Sequence, residues 1–319
     1  MKADPQMYVY ILRRLLATIP IMAIVAVFVF MLLYISPGDP AVIIAGDFAT
    51  EDQVDRIREQ LGLNDPLYIQ FGGWLTGLLR GDMGQSIYSG LPVTTLIGQR
   101  VEPTLMLTIS TMVIAISLAI PLGVIAAWKV GTWIDRMVMT FAVFGFSVPV
   151  FVIGYLLILG GSSKLGWFPV QGYTSIFESV SGFLAHITLP ALTLGAVYMA
   201  LIARMTRATM LEVLNEDYVR TAYAKGLATH KVLVKHALKN AMVPISTTIG
   251  LGVALLIGGV VVTESVFAIP GLGRLTVDAV LRTDYPVIQG VILVFSFTYV
   301  LLNLLIDLSY VLFDPRIRY

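Results

Sequence analysis

Six apolar stretches, each about as long as a bilayer is thick, restrict the fold more than any other feature of the chain. A membrane-spanning helix needs roughly 20 mostly apolar residues. Only 13% of the 319 residues are charged, about half the share in soluble domains. A water-soluble fold of this size could not cover its surface. The sequence therefore predicts an all-α polytopic membrane protein with about six transmembrane helices. The predicted spans are roughly 12–35, 103–128, 137–160, 187–208, 244–264 and 287–312.

The start of the chain is interpreted as a permanent membrane helix. Arg13 and Arg14 precede an apolar run from about Leu15 to Ile35. That run is longer than the apolar core of a signal peptide, and no small-residue cleavage site follows it. The first span is therefore expected to remain in the membrane.

Residue types that hold metals or perform thiol chemistry are scarce. The chain contains no cysteine and three histidines. His230 and His236 stand six positions apart, which does not place them on one helical face as a metal pair. Disulfides, thiol catalysis and cysteine metal sites are excluded. We expect this chain to hold no metal and no cofactor.

Lysine and arginine are distributed unevenly between the two membrane sides. One side receives the N-terminal arginines, Lys129, Arg136, the polar stretch 205–244 and the C-terminal arginines. The other side receives about half as many basic residues, and the richer side is cytoplasmic by the positive-inside rule. Both termini and the stretch 205–244 are therefore predicted to be cytoplasmic.

The loop between the first two spans is predicted to be a helical extracytoplasmic insertion. Thr50 followed by Glu51 and Asp52 is typical of a capped helix start, and Gly62 is a suitable helix end. Apolar residues around Trp74 indicate a second short amphipathic helix. The insertion is either a structured cap between two helices or a surface that receives a partner.

The longest polar interruption in the later part of the chain runs from Met205 to Pro244. Asn215 is predicted to cap a short helix whose first turn holds two acidic residues. Gly226 then breaks that helix, and Thr229 is predicted to cap the next one. Two short helices of this kind form an elbow that can fit a groove on a second protein and transmit motion into the adjoining spans.

A proline in the third span and an acidic residue at the end of the fifth span are the most informative single positions in the apolar segments. Ser147-Val148-Pro149 predicts a kink in the third span. Glu264, at the end of the fifth span, lines a substrate path, caps a helix or pairs with Arg274. The sequence leaves these alternatives for Glu264 open.

No enzyme motif is present in the sequence. There is no GxxxxGK[ST] phosphate-binding loop, no HExxH metal motif and no GxSxG nucleophile turn. We therefore predict that the chain is not an enzyme.

The elbow and several other segments resemble one family of transport proteins. The string from Glu216 to Leu227, with Asn240 to Pro244, resembles the EAA loop of ABC importer permeases, although Tyr223 departs from its usual basic residue. Other segments resemble the dipeptide/oligopeptide (peptide/nickel) branch of that family, and the long first loop resembles its first-permease (B-type) subunit. Those segments are Pro37–Pro40, Leu61–Phe71, Gly81–Ser86, Thr263–Phe267, Pro270–Arg274, Asp284–Gly290 and Asp307–Arg316.

The resemblance implies a type I ABC importer permease fold in the inner (cytoplasmic) membrane of a bacterium or archaeon. Its partners would be a second homologous permease, two ATPase subunits that bind ATP and Mg, and an extracytoplasmic substrate-binding protein. The segments would be an N-terminal transmembrane helix at 1–36, an extracytoplasmic region at 37–100, a permease core at 101–313 with a coupling loop at 211–243, and a cytoplasmic tail at 314–319. No nucleic acid would be involved.

The resemblance also implies three groups of site residues. The ATPase-coupling loop would contain Glu216, Asp217, Arg220, Thr221, Ala222, Ala224, Lys225, Gly226 and Leu227. The translocation path or outer gate would contain Glu264, Phe267, Pro270, Gly271 and Arg274. Binding-protein docking would involve Asp39, Asp82 and Ser86.

The expected function is translocation of di- or oligopeptides delivered by a binding protein. The same machinery could instead carry nickel, glutathione or an oligosaccharide. An ion-coupled secondary transporter would need coupling acids at mid-membrane and inverted repeats, and neither is visible. A sensor or scaffold without transport would not explain the paired elbow helices.

Overall fold

The computed structural model describes residues 5–35, 40–45, 49–60 and 62–313. Within these ranges the chain is helical, without a β-strand, and Gln85 and Pro92 form one isolated bridge. The α-helices are α1 Pro5–Ile35, α2 Pro40–Ala45, α3 Glu51–Gln60, α4 Leu67–Leu79, α5 Val93–Trp128, α6 Trp133–Ser147, α7 Val150–Leu157, α8 Val180–Leu214, α9 Asp217–Ala224, α10 Thr229–Lys231, α11 Lys239–Val266, α12 Leu272–Leu281 and α13 Tyr285–Phe313. Two π-helical segments are π1 Ile158–Lys164 and π2 Val232–Leu238.

The six predicted spans coincide with long helical segments. Four helices in the described ranges are long and apolar enough to cross a membrane, within α1, α5, α8 and α13. Two bent helix pairs also qualify if each is counted as one span. The first pair contains α6 and α7, and the second runs from α10 through α11. The prediction of an all-helical protein with about six spans is confirmed.

The predicted kink at Pro149 is a sharp break. The axes before and after it differ by 107°. Val148 has extended backbone angles (φ −86°, ψ 128°), because a following proline disfavours the helical conformation. Pro149 then precedes the first turn of α7. The third span is therefore two helices that meet at a corner.

One compact unit contains residues 102–274 and 302–319. Its core is centred on α8, which packs against α6, α7 and α11. Leu194, Ile202 and Met210 on α8 are buried together with Ile245 and Leu256 on α11. The core therefore follows α8 through most of its length.

Small residues bring neighbouring helices close to α8. A Cβ added at Gly123 of α5 would lie 2.6 Å from Cβ of Thr206 and 2.7 Å from the carbonyl oxygen of Ala203. One added at Gly145 of α6 would lie 2.9 Å from the carbonyl oxygen of Ala196. Such glycines allow backbones to approach where lipid supplies no hydrophobic driving force.

The other compact unit contains residues 1–101 and 275–301. It holds α1 to α4, the first turns of α5 and most of α13. Phe30 of α1 packs against Phe71 and Trp74 of α4, with ring centroids 5.3 and 5.7 Å apart. Gln289 of α13 donates a hydrogen bond to the carbonyl oxygen of Val29 at 3.1 Å. Aromatic packing and this bond connect the insertion with two long helices.

The helices predicted in the insertion are present. Helix α3 starts at Glu51, and the backbone N–H of Thr50 donates to Oε1 of Gln53 at 2.9 Å, as in half of a capping box. Gly62 has φ +64° and follows the end of α3. The amphipathic helix predicted around Trp74 is α4.

We predict that Gly123→Ala destabilises the protein. The added methyl group would overlap with Thr206 and Ala203, and overpacking of this kind costs about 1–3 kcal/mol. Gly98→Ala on the same helix is the control, because its added Cβ meets nothing within 4 Å. The measurement is thermal unfolding of the purified protein in detergent. A melting temperature lowered by several degrees in Gly123→Ala alone is expected, and equal melting of both variants would contradict the tight α5–α8 contact.

Candidate functional site

The polar stretch between α8 and α11 forms a helical elbow, defined here as residues 215–238. Helix α8 ends at Leu214, α9 follows, and α10 continues through π2 into α11. The α9 helix ends in a paired-bond cap: Gly226 N–H donates to the carbonyl of Tyr223 at 2.9 Å, and Leu227 N–H to that of Ala222 at 3.3 Å. Gly226 has φ +76°, as this type of helix end requires. The predicted break at Gly226 is confirmed.

Two capping predictions for the elbow are wrong. Asn215 is the C-terminal cap of α8, and its side-chain amide donates to the carbonyl of Leu211 at 2.9 Å. The residue before α9 is Glu216, whose side chain forms no cap bond. Thr229 is the first residue of α10, and Ala228 precedes it without a cap bond. The cause is that α8 continues past the predicted end of its span at residue 208 to Leu214, and Asn215 is therefore its C-terminal cap.

A small apolar cluster holds the elbow together. Val219, Ala222 and Val232 are buried, and Val213 and Leu214 pack against them. Ala222, predicted at an ATPase contact, therefore points into the interior of the elbow. The cluster fixes α9 against the end of α8 and the start of π2.

The remaining predicted coupling residues lie on the exposed side of the elbow. An exposed surface of this kind is available to a partner protein. These residues are Glu216, Asp217, Arg220, Thr221, Ala224, Lys225, Gly226 and Leu227.

Two side-chain contacts orient the elbow helices. Nη1 of Arg220 lies 3.4 Å from Oδ1 of Asp217, and both side chains are exposed. The amide of Asn240 on α11 donates to the hydroxyl of Tyr218 at 2.7 Å. The second contact links α9 directly to the helix that re-enters the core. Exposed ion pairs contribute little to stability, so the buried apolar cluster is the main interaction that holds α9 in place.

A partly buried ion pair lies two turns before the end of α8. Arg207 donates from Nε to Oδ1 of Asp135 at 2.5 Å and from Nη2 to Oδ2 at 2.8 Å. Asp135 is 5% exposed and also accepts a bond from the Gly131 N–H at 3.0 Å. This bidentate pair joins the start of α6 to α8 next to the elbow. Sequence reasoning counted Arg207 among the basic residues and missed Asp135, which stands 72 positions away.

Glu264 is fully buried and caps α12. Its Oε2 accepts the backbone N–H of Arg274 at 3.0 Å, and its Oε1 accepts the hydroxyl of Thr104 at 2.6 Å. The same hydroxyl oxygen accepts the N–H of Leu272 at 2.8 Å. Two N–H groups that the start of α12 leaves unpaired are thus satisfied by side chains of α5 and α11. Of the three alternatives for Glu264, the geometry corresponds to the helix cap.

The other residues of the predicted gate surround this cap. A Cβ at Gly271 would overlap with the Glu264 carboxylate, so only glycine leaves room for the cap. Phe267 is 2% exposed, Arg274 is half-buried and Pro270 is exposed. The segment is a tightly packed, capped corner between α11 and α12.

A loop following π1 is bonded to the same region. Gly172 N–H donates to the carbonyl of Phe267 at 2.9 Å. Glu102 on α5 accepts the hydroxyl of Tyr173 at 3.0 Å and that of Ser175 at 2.6 Å. Burial, together with the neighbouring Glu102 carboxylate, raises the pKa of the Tyr173 hydroxyl well above its usual range. Tyr173 therefore remains a neutral donor at physiological pH.

In the first unit, two sequence segments that resemble the family meet. The hydroxyl of Ser86 donates to Oδ2 of Asp284 at 2.5 Å, and the N–H of Ile87 donates to Oδ1 at 3.1 Å. Ser86 is buried, whereas Asp82 is exposed and its carboxylate accepts the Gly84 N–H at 2.8 Å. Asp39 lies outside the described residues. Ser86 therefore fixes the loop, and Asp82 is on its surface.

The described residues contain no group of three or more histidine, aspartate or glutamate side chains able to hold a metal ion. His230 is exposed and His236 is half-buried on the elbow.

We predict that Arg207→Gln destabilises the protein strongly, because it leaves the buried Asp135 carboxylate without its charged partner. Removing one partner of a fully buried ion pair costs about 3–5 kcal/mol, and the 25% exposure of the Arg207 side chain lowers the expected cost here. Arg220→Gln is the control, since it breaks an exposed pair. Thermal unfolding should show a large loss for Arg207→Gln, a smaller loss for Asp135→Leu combined with Arg207→Met, and no change for Arg220→Gln. Equal effects of the two single variants would contradict the structural role of the buried pair.

Comparison with known proteins places the chain in a family. The family model described as "Binding-protein-dependent transport system inner membrane component" matches residues 119–319, and its N-terminal companion matches residues 7–119. The probable peptide ABC transporter permease protein y4tP of Sinorhizobium fredii is 54% identical over 313 residues, covering 98% of this chain and 100% of that protein. The glutathione transport system permease protein GsiC of Escherichia coli K12 is 47% identical over 310 residues, covering 97% of this chain and 99% of that protein.

A solved structure shares the fold. The MetNI methionine ABC transporter in an inward-facing conformation matches with a TM-score of 0.57 and 18% identity, over 69% of this chain and 96% of that chain. The helices described above therefore form a type I importer permease fold. With both family models matched and relatives similar over nearly their whole length, the chain belongs to the binding-protein-dependent transport system inner membrane components, as a permease of the peptide/nickel branch of ABC importers.

Proposed function

We propose that this permease carries di- or oligopeptides through a heterodimeric core, and that the elbow is the surface on which an ATPase subunit acts. The role of the elbow is supported most by the division of its residues into a buried side and an exposed side. Val219 and Ala222 hold it to the core from within, while Lys225, Gly226 and Leu227 are exposed. A rigid projection with a free outer side can receive a partner and pass its movement into α8 and α11.

The proposed assembly contains four kinds of subunit. This chain pairs with a second homologous permease, two ATPase subunits bind ATP and Mg, and an extracytoplasmic binding protein delivers substrate. The chain itself hydrolyses no nucleotide, since its sequence has no phosphate-binding loop. Both termini and the elbow lie on the cytoplasmic side of the inner membrane, in accordance with the distribution of basic residues.

The peptide substrate is supported by the relatives. The Sinorhizobium protein is named for peptide transport and the Escherichia coli protein for glutathione, which is itself a short peptide. We propose peptides as the substrate class, with glutathione included as a member of that class.

Two further assignments belong to this proposal. The capped corner serves as the outer gate, where a shift of α11 against α12 would alter access. It contains Glu264, Phe267, Pro270, Gly271 and Arg274. Asp39 and Asp82 contact the binding protein, and Ser86 holds the loop that presents Asp82. The exposure of Asp82 and the burial of Ser86 support this division of roles.

The coupling proposal is tested with Gly226→Trp in the purified complex with its ATPase subunits. Gly131→Trp, in the turn between α5 and α6, is a matched control: the two glycines have φ +76° and +78°, and a Cβ at either meets nothing within 4 Å. Both substitutions therefore place a non-glycine residue in the same left-handed backbone conformation, with free space around its Cβ. We expect Gly226→Trp to lower ATPase activity stimulated by the binding protein about tenfold, equivalent to 1.4 kcal/mol of lost coupling. Equal activity of the two variants would remove the elbow from the coupling path.

The substrate proposal is tested by uptake into proteoliposomes that contain the complex and its binding protein. Labelled dipeptide or tripeptide should accumulate in an ATP-dependent manner, and excess unlabelled peptide should compete. Nickel and an oligosaccharide serve as comparison substrates. Uptake of either of these without uptake of peptide would overturn the peptide assignment and leave the coupling result intact.

A further inference from the structure

Arg204 on α8 is a charged residue without a partner among the side chains that the structure describes. Its side chain is exposed, and its guanidinium has no hydrogen bond or ion pair with any residue in the described ranges. Arg207, one turn further along the same helix, is paired with Asp135. An arginine on a membrane helix is costly unless it finds a partner. The described part of the chain therefore leaves the guanidinium of Arg204 available to another molecule.

Arg204 lies at one end of a groove between α6 and α8. The groove has a volume of about 140 Å³ and is lined mainly by apolar side chains. Ala142 and Ala200, which have small side chains, belong to its lining. Its lining residues are Met139, Ala142, Val143, Phe146, Ser147, Ala200, Leu201 and Arg204.

The groove has a charged end and an apolar end. Helices α6 and α8 are antiparallel here, because Asp135 at the start of α6 bonds Arg207 near the end of α8. Met139 is one turn beyond Asp135 and is therefore level with Arg204. Ser147 lies a further eight residues along α6, about 12 Å deeper at 1.5 Å per residue. The guanidinium thus marks the shallow end of the groove.

Other residues at this end of the unit are typical of the membrane–water boundary. Trp128 and Trp133 are exposed at the facing ends of α5 and α6. The amino group of Lys129 lies 4.0 Å from the centre of the Trp128 ring. Tryptophan and lysine concentrate at the level of lipid headgroups. Arg204 is therefore at headgroup depth, and the rest of the groove extends into the hydrocarbon.

We propose that this groove binds an anionic phospholipid. Its phosphate accepts hydrogen bonds from Arg204, and one acyl chain follows Val143 and Phe146 toward the middle of the membrane. A guanidinium fits phosphate oxygens in a two-pronged geometry, and basic pockets between membrane helices bind anionic headgroups. The charged residue lies at headgroup depth and the apolar residues lie deeper, so the groove matches the headgroup and the acyl chain of a lipid. Val143 and Phe146 are 62% and 63% exposed, so the acyl-chain part of the groove is open along its side.

The test uses the complete complex, delipidated and placed in nanodiscs of phosphatidylcholine alone or with one quarter phosphatidylglycerol. Native mass spectrometry measures retained phosphatidylglycerol, and thermal unfolding measures the stabilisation it gives. We expect Arg204→Gln to reduce phosphatidylglycerol occupancy about tenfold, because a charge-assisted contact is lost, and to abolish the stabilisation. Val143→Trp, which fills the groove from its exposed rim and leaves Arg204 in place, should do the same.

Arg136→Gln is the control, since it removes the same charge from the same end of α6 but from a residue that does not line the groove. It should retain both the bound lipid and the stabilisation. Unchanged phosphatidylglycerol binding in Arg204→Gln would overturn the proposal. So would a loss of stability in Arg204→Gln that is equal in both lipid mixtures, since that result would show a protein carboxylate, such as one from the second permease, as the partner of Arg204.

Discussion

The structure of the second unit depends on the close packing of α8 against its neighbours. In a membrane, lipid is as apolar as the side chains, so helix association depends on shape and on interhelical polar contacts. Gly123 and Gly145 allow close packing, since the backbone at each of them comes almost into contact with α8. The Asp135–Arg207 pair provides the polar contact at the end next to the elbow. Without this packing the elbow would project from a helix free to rotate.

The polar groups at the start of α12 satisfy one another. The hydroxyl of Thr104 connects the Glu264 carboxylate with the Leu272 N–H, so one small side chain joins three helices. Burying a carboxylate costs free energy unless such partners hydrogen-bond to it. Gly271 has no side chain and so leaves space for the Glu264 carboxylate. The sequence string from Thr263 to Arg274 is therefore explained by the requirements of a capped corner, and any gating movement at this place has to preserve or exchange those bonds.

The sequence predicted those features that depend on length or on backbone freedom alone. Apolar length identified the six spans, and Gly226 identified the end of α9, because a left-handed residue there favours glycine. The angle at Pro149 could not be predicted, since proline indicates a break and the packing of α7 sets its size. The cap prediction for Asn215 is wrong because α8 continues past the predicted end of the span at residue 208, where Thr209 and Met210 are buried. Contacts between distant residues, such as Asp135 with Arg207 or Ser86 with Asp284, leave no local signal.

The two arginines near the end of α8 show how one helix separates internal structure from external binding. Arg207 and Arg204 are three residues apart and therefore lie about 60° apart around the helix. That rotation is enough to give Arg207 a buried carboxylate and to leave Arg204 at the edge of a groove. The elbow shows the same separation of buried and exposed residues, because Ala222 is buried and Lys225 is exposed. Because inward and outward residues alternate along continuous helices, force applied to an exposed residue reaches the packed core within one or two turns.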